Sequence, residues 1–367
     1  MRTIGSLVAI GAALLAGAFA IGVTVALVSS PSSFFARLGD VTHPGGSAAS
    51  APAASPSPDV SPLPALDRPG RLGPNPTLVS LRGGGLFAAG GSVEMLSRDG
   101  GRTWQTVALP PGASSMLYDS GTLSHAIAGG QGVSVSTNAG STWTPITTLP
   151  PGSGSYLPLL IGPGDPPTWF FVRGGSLLRT RDAGASWRVI TTPRPLGSAQ
   201  MIAGSSADHF FLASDTQVLE LDQQAAQLKD IGALPGGAKV LGLALAAVNP
   251  ESLLARGGDG KAYLHAADGW HPSGSGLGGP VAATTAGAIL VGDGGAKLGS
   301  TGVVESSLDG GKTWSAGTGL PANESVDALA TDSDQGHLYA YCFGGDVFSS
   351  ADAGKTWTLV SSALRAP

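Results

Sequence analysis

The sequence predicts an all-β chain: a single seven-bladed β-propeller of four-stranded blades, preceded by an apolar N-terminal segment and a Pro-rich linker. Three observations predict it. One octapeptide recurs five times, the intervals between its copies are close to multiples of about 43 residues, and the composition suits short strands joined by tight turns. Of 367 residues, 57 are Gly and only 12% are charged, about half the usual charged share. Long solvent-facing helices need many Glu, Lys and Arg; short apolar strands with glycine turns do not.

The octapeptide first reads Ser97-Arg98-Asp99-Gly100-Gly101-Arg102-Thr103-Trp104. It returns as Ser136-Thr137-Asn138-Ala139-Gly140-Ser141-Thr142-Trp143 and Thr180-Arg181-Asp182-Ala183-Gly184-Ala185-Ser186-Trp187. The last copies are Ser307-Leu308-Asp309-Gly310-Gly311-Lys312-Thr313-Trp314 and Ser350-Ala351-Asp352-Ala353-Gly354-Lys355-Thr356-Trp357. Successive tryptophans lie 39, 44, 127 and 43 residues apart. The long interval has room for two degenerate copies, expected at Glu220-Leu221-Asp222 and at Ala266-Ala267-Asp268-Gly269-Trp270. Seven repeats then account for everything after residue 75. The seventh shows the inner pattern: apolar stretches at 326–331, 337–343, 347–350 and 357–360, separated by turn residues. Four short strands per 40–50 residues is the pattern of a propeller blade. A lone blade cannot cover both faces, whereas neighbours around an axis can.

Each octapeptide position has a local reason. The opening Ser or Thr ends the third strand. The Asp or Asn accepts backbone N–H groups in the turn. The fifth-position Gly supplies a left-handed conformation. The Trp starts the fourth strand as an apolar anchor, with substantial burial expected.

The N-terminal segment, residues 1–30, is apolar and uncharged from Ile4 to Val28, long enough for a helix across about 30 Å of hydrocarbon. Two readings compete. Ala18-Phe19-Ala20 resembles a signal-peptide cleavage site, but the apolar run continues past it to Val28, which favours an uncleaved membrane anchor. Both place the remainder outside the cytoplasm: at the cell membrane as a single-pass protein, or secreted if the segment is cleaved. Residues 31–75 hold 9 of the 27 prolines and read as an extended disordered linker. Residues 76–367 form the propeller.

The net charge of −5 argues against nucleic acid as a partner. A single cysteine, Cys342, excludes an internal disulfide or a multi-cysteine metal site. Gly311-Lys312-Thr313 and Gly354-Lys355-Thr356 match the end of a phosphate loop, but Ser306 and Ser349 stand where its first glycine is needed. Asp332-Ser333-Asp334-Gln335-Gly336 resembles a calcium loop with Phe343 where the bidentate acid belongs. The six histidines lack paired ligand spacing. No cofactor and no metal are expected.

The octapeptide resembles the Asp box, Ser/Thr-x-Asp-x-Gly-x-Thr/Ser-Trp. The chain is thus similar, over about four fifths of its length, to the Asp-box (BNR-repeat) propellers. These include sialidases, xyloglucan-type glycoside hydrolases, sortilin-like receptors and the photosystem II stability and assembly factor family. The resemblance implies that the box is structural and lies away from the active face. Sialidases resemble one another in an Arg-Ile-Pro tripeptide, three arginines and a Tyr-Glu pair; here the start reads Arg68-Pro69-Gly70-Arg71, and Glu220, Glu251, Glu305 and Glu324 lack a matching tyrosine. Size and layout are nearest the single-propeller assembly-factor type, which implies a non-enzymatic protein-binding or scaffold module. A glycan-acting hydrolase is the alternative. A receptor ectodomain is disfavoured by a cytoplasmic tail of about three residues.

Ligands of propellers meet the loops between second and third strands and between blades. Most such loops here are minimal, and the exception is 292–302, with five glycines. Function tends to sit in loops longer than the scaffold needs. Arg173, Asp215, Asp259, Lys261, Asp293, Lys297 and Asp346 are expected to ring this face as a docking surface for a protein or a glycan.

Overall fold

A computed structural model describes Val23–Ala26 and most of residues 72–365. The rest of 1–76 apart from 72–73 and Pro76, the loop residues 82–83, 91–92, 119–124, 163–166, 197–199, 205–208, 223–226, 247–251, 285, 295–301 and 333–335, and residues 366–367 lie outside the described residues.

The molecule is an all-β seven-bladed propeller of four-stranded antiparallel blades. Blade 1 comprises Thr77–Leu81, Gly85–Gly90, Val93–Ser97 and Gln105–Thr106. Blades 2, 3 and 4 begin at the inner strands Ala113–Tyr118, Leu157–Gly162 and Gln200–Gly204. Blades 5, 6 and 7 begin at Val240–Ala246, Val281–Ala283 and Val326–Thr331. Each blade pairs its strands in chain order, with no strand contributed from elsewhere apart from Val23–Ala26.

The apolar stripes follow from position in the ring. Second strands are covered by neighbouring blades on both faces, so they read as unbroken apolar runs rather than alternating ones. Trp169-Phe170-Phe171-Val172 and Leu338–Cys342 are buried throughout. The core lies in the gaps between blades. One cluster joins Leu117 and Ile127 of blade 2 to Phe170 and Phe171 of blade 3 and Phe210 and Leu212 of blade 4. The Phe170 and Phe210 rings meet edge to face at 5.0 Å, and each such buried ring contributes about 2–3 kcal/mol.

The ring closes between blades 7 and 1, whose inner strands Val326–Thr331 and Thr77–Leu81 are in contact. Among the described residues no strand crosses this seam. Leu72, ahead of blade 1, and Leu364, behind blade 7, are buried together with Tyr339, Tyr341 and Val347. Ser361 Oγ donates to the Arg102 carbonyl at 3.4 Å.

Four residues of the expected membrane-spanning run, Val23–Ala26, form a strand paired antiparallel with Met201–Gly204 on the inner edge of blade 4. The rest of that run lies outside the described residues. No helix among the described residues is long and apolar enough to cross a membrane.

The two degenerate repeats depart from the octapeptide. In blade 4 the third strand ends at Asp222, the outer strand begins at Gln227, and the turn between them is outside the described residues. In blade 5, Ala266 pairs with Gly269, so Ala267-Asp268 form a two-residue hairpin. Trp270 still takes its expected place on the outer strand and is buried.

Candidate functional site

Antiparallel strands alternate direction, so the octapeptides, between third and outer strands, occupy one end of the propeller. The second-to-third turns and the inter-blade connections occupy the other.

The octapeptide end is a repeated hydrogen-bond unit. In blade 1, Ser97 Oγ donates to Asp99 Oδ1 at 2.8 Å and accepts from Gly101 N at 2.8 Å. Asp99 accepts from Thr103 N at 2.9 Å and Thr103 Oγ1 at 2.6 Å. Trp104 Nε1 donates to the Gly101 carbonyl at 2.9 Å. Thr180, Asp182, Gly184, Ser186 and Trp187 repeat the scheme. So do Ser307, Asp309, Gly311, Thr313 and Trp314, and Ser350, Asp352, Gly354, Thr356 and Trp357. The hydroxyl bond from the Thr, or from Ser186, is the leading cause holding Asp99, Asp182 and Asp352 down at about 2, and it lowers Asp309 too. Blade 2 is the variant. Asn138 Nδ2 donates to Thr142 Oγ1 at 2.8 Å, Gly140 N donates to Ser136 Oγ at 2.8 Å, and Trp143 Nε1 is buried without a partner.

Two details were not foreseen. The tryptophans hold equivalent positions, one residue before the outer strand, yet only Trp357 is fully buried; Trp104, Trp143, Trp187 and Trp314 are half-buried. Their place on the rim leaves one ring edge in solvent. The fourth octapeptide position is left-handed as well as the fifth: Ala139, Ala183 and Ala353 have φ of 58°, 54° and 60°, and Gly100 and Gly310 have 72° and 73°. That this position is only ever Ala or Gly is the sequence signal. The fifth-position glycine also spaces the blades. A Cβ on Gly311 would lie 2.2 Å from Leu264 Cδ1 of blade 5, and one on Gly354 would lie 2.9 Å from Leu290 Cδ2 of blade 6.

At the opposite end, most of the seven expected docking residues are engaged within the fold. Arg173 donates through Nη1 to the Pro150 carbonyl and Tyr156 Oη, both at 2.6 Å, through Nε to the Gly154 carbonyl at 3.1 Å, and through Nη2 to Gly152, while lying 4.2 Å from the Tyr156 ring centroid. It fastens the connection from blade 2 to blade 3. Asp215 has φ of 55° at a tight turn, and its carbonyl accepts from Val240 N at 2.7 Å. Asp259 accepts from Tyr263 Oη at 2.5 Å and Lys261 N at 3.3 Å; burial first, and then the bond to Asp259, raise the Tyr263 hydroxyl to about 12. Asp293 accepts from Val326 N at 2.9 Å and Gly302 N at 3.0 Å, pinning the base of the 292–302 loop to blade 7. Asp346 is buried and held by Arg365. Lys297 lies outside the described residues. Lys261 is exposed.

Two acids on this face that carried no expectation of binding are also engaged. Glu324 is buried and accepts from Gly344 N at 3.2 Å; burial raises its carboxyl. Asp327 accepts from Ser325 Oγ at 2.7 Å. Cys342 is buried, and burial raises its thiol well above the ordinary value.

Two basic groups near blade 5, Lys239 and Arg256, carried no expectation. Arg256, a lone charge in the apolar strand Ser252–Gly257, is half-buried, and its Nε has no hydrogen-bond partner. Burial lowers its guanidinium and Asp327 opposes that. A lone charge in an otherwise apolar strand was the available signal. Opposite Arg256, the inner strand of blade 5 carries a bulge between Val240 and Gly242 that sets Leu241 out of register; Leu241 is 39% exposed. Leu241 lines an open depression of about 530 Å³ with Pro235, Gly236, Ala238, Lys239, Gly258 and Asp259. Among the described residues no group of three or more His, Cys, Asp or Glu side chains is placed to hold a metal ion.

No protein-family model matches the sequence, and no curated protein matches it. Solved structures do resemble it. One is YCF48 bound to a D1 peptide, with 16% identity, covering 77% of this chain and 94% of that one at a TM-score of 0.51. Two further examples are glycoside hydrolase GH74 enzymes: one from Niastella koreensis, at 13% identity and a TM-score of 0.57, and an ancestral enzyme, at 11% and 0.58, each covering 80% of this chain. This chain shares their fold. Its match spans about half of each GH74 enzyme, 54% and 46%.

Proposed function

We propose that the chain is a membrane-anchored, extracytoplasmic binding module of the Asp-box type, acting as a non-enzymatic scaffold for a protein partner. The observation that carries this reading is the engagement of acids at the loop end. Asp259, Asp293, Asp346, Glu324 and Asp327 each accept a hydrogen bond within the fold. Glycoside hydrolysis uses two opposed carboxyl groups free to face a sugar, and these are committed to holding loops. The shared hydrogen-bond scheme of the octapeptides supports the Asp-box assignment. The peptide-bound YCF48 structure supports a protein ligand by analogy of fold, an analogy that fold alone does not turn into function.

Recovery of a specific protein with the intact chain from solubilised membranes tests this reading. Purified protein that hydrolyses a glycan, and loses that activity when one acid of the loop end is changed to its amide, would overturn it in favour of the GH74-like alternative.

A further inference from the structure

We propose that Val23–Ala26 is a ligand of the propeller's own channel: in a chain cut after Ala20, and so freed from the membrane, this strand fills the channel along blade 4. The inference goes beyond the binding-module reading above, whose anchored form keeps the same residues in the membrane. It starts from the free edges of the blades. Among the described residues, every inner strand outside blade 4 has one strand partner, the second strand of its own blade. Its other edge, a row of N–H and C=O groups, faces the channel, and such an edge is a template for a further strand.

Val23–Ala26 takes that edge in blade 4. Val23 stands opposite Gly204, Thr24 opposite Ala203, Val25 opposite Ile202 and Ala26 opposite Met201. The strand is also in contact with the inner strands of blades 1 and 5, Thr77–Leu81 and Val240–Ala246. Blades 1 and 4 stand on opposite sides of the ring, so a strand that touches both lies in the channel between them. The choice of blade has a physical reason. The inner strands of blades 2, 3, 5 and 7 each carry an extra residue, at Ser114, Leu159, Leu241 and Asp327, and a bulge disrupts an edge for pairing. That of blade 6 has only three residues. Gln200–Gly204 and Thr77–Leu81 keep one register throughout, and Val23–Ala26 meets both of these intact strands.

The apolar run changes character where the cut falls. Five of the eight residues from Ile21 to Val28 are Val, Ile or Thr, against three of the seventeen from Ile4 to Ala20, and β-branched residues favour strands over helices. The change coincides with Ala18-Phe19-Ala20. Anchor and channel strand are exclusive uses of the same backbone, because a spanning helix satisfies its N–H and C=O groups within itself. Hydrolysis of the Ala20–Ile21 bond by a membrane peptidase adds water across the amide, leaving a carboxylate on Ala20 and an ammonium group on Ile21. The new N-terminus then lies two residues before the strand. Forty-five residues separate Ala26 from Leu72, a tether that extends beyond ~100 Å, so the strand reaches the channel without drawing on blade 1.

The test compares the full chain in mild detergent with the same chain released by hydrolysis at Ala20–Ile21, through a host signal peptidase or a protease site placed at residues 15–20. Hydrogen exchange at the channel-facing amides of Met201–Gly204 is expected to be about tenfold slower, or more, in the released chain. Thr24→Pro with Val25→Pro removes two successive amides, one of which faces blade 4, and is expected to restore the faster exchange. Thr24→Cys with Ala203→Cys is expected to form a disulfide in the released chain and not in the anchored one, since opposed residues of an antiparallel pair lie about 4.5–5.5 Å apart. Equal exchange in the anchored and released chains, or indifference to the double proline change, overturns the proposal. So does a released double-cysteine chain that unfolds cooperatively yet stays reduced under mild oxidation. If the strand fails to seat while the anchored chain still recovers a membrane protein, the channel inference is wrong and the binding-module reading stands.

Discussion

Arg365 Nε and Nη2 donate to the two carboxylate oxygens of Asp346, at 2.7 and 2.5 Å, binding the end of the chain to a turn of the seventh blade. Asp346 is buried, whereas the Arg365 side chain is 52% exposed. Bidentate pairing is the strong form of such a bond. Arg365→Ala leaves a buried carboxylate without its partner. With solvent screening on the arginine side, the expected loss is about 1–2 kcal/mol. Urea denaturation reads it, and a double-mutant cycle with Asp346→Asn recovers a coupling of similar size. A coupling near zero refutes the latch.

Glu94 gives the fold a pH dependence of its own. It sits on the third strand of blade 1 with Oε2 buried and unpartnered, and burial raises its carboxyl from 4.5 to about 7. The folded state therefore holds the proton more tightly than the unfolded chain. Below pH 4.5 both states are protonated and the group has no effect. Between about 4.5 and 7 stability falls as pH rises, and above 7 the penalty is complete, on the order of 2–3 kcal/mol. Glu94→Gln should raise the melting temperature at pH 8, leave it unchanged at pH 4, and flatten the slope between.

The octapeptide acids act in the opposite sense. With Asp99, Asp182 and Asp352 held at about 2 against 3.8 unperturbed, their contribution is present above pH 4 and is lost as pH falls toward 2. Blade 2, with Asn138, has no such term. Asn138→Asp should therefore steepen acid denaturation below pH 4, and Asp352→Asn should make it shallower.

The tryptophan series should be graded by burial. Trp357→Ala removes a ring only 4% exposed and should cost about 3–5 kcal/mol. Trp104→Ala and Trp187→Ala remove half-buried rings and should cost roughly half as much. Trp143, whose Nε1 has no acceptor, should cost least when replaced by Phe. Chemical denaturation of the four variants ranks them, and an inverted order contradicts the rim geometry.

Fractionation addresses the anchor. The full-length chain is expected in the membrane fraction, with the propeller open to protease from outside. Soluble protein beginning at Ile21 would show that the segment is a cleaved signal.

Much of the fold was legible because the octapeptide is a local device. Its hydroxyl, carboxylate and glycine act on one another within seven residues, so the spacing of five copies exposes the blade period directly. The strands between them carry little positional information by comparison, yet 77–81, 93–97, 326–331 and 347–350 follow from apolar runs alone. The loop end was far less legible. A charge in a turn reads alike whether it faces solvent or fastens a neighbouring loop. Arg173 closes on carbonyls up to 23 residues away, and Asp293 caps an amide 33 residues on; no short-range pattern marks either. Arg256 and Leu241 were missed because their meaning depends on a bulge and on Gly242 across the ladder.

Among the described residues no strand is shared across the seam, which makes this ring a bracelet with a clasp. In a ring locked by strand exchange, the position of the termini is built into one blade. Here, apart from Val23–Ala26 on blade 4, the described strands of each blade are consecutive in sequence, and the clasp consists of small parts: Leu72, Leu364 and the Arg365–Asp346 bond. The opening is thus a property of where the chain happens to be cut. Joining 72 to 365 and reopening the ring between blades 3 and 4 should give a permuted chain with the same blades, and a gene that gained or lost one repeat would need only a new clasp to close again.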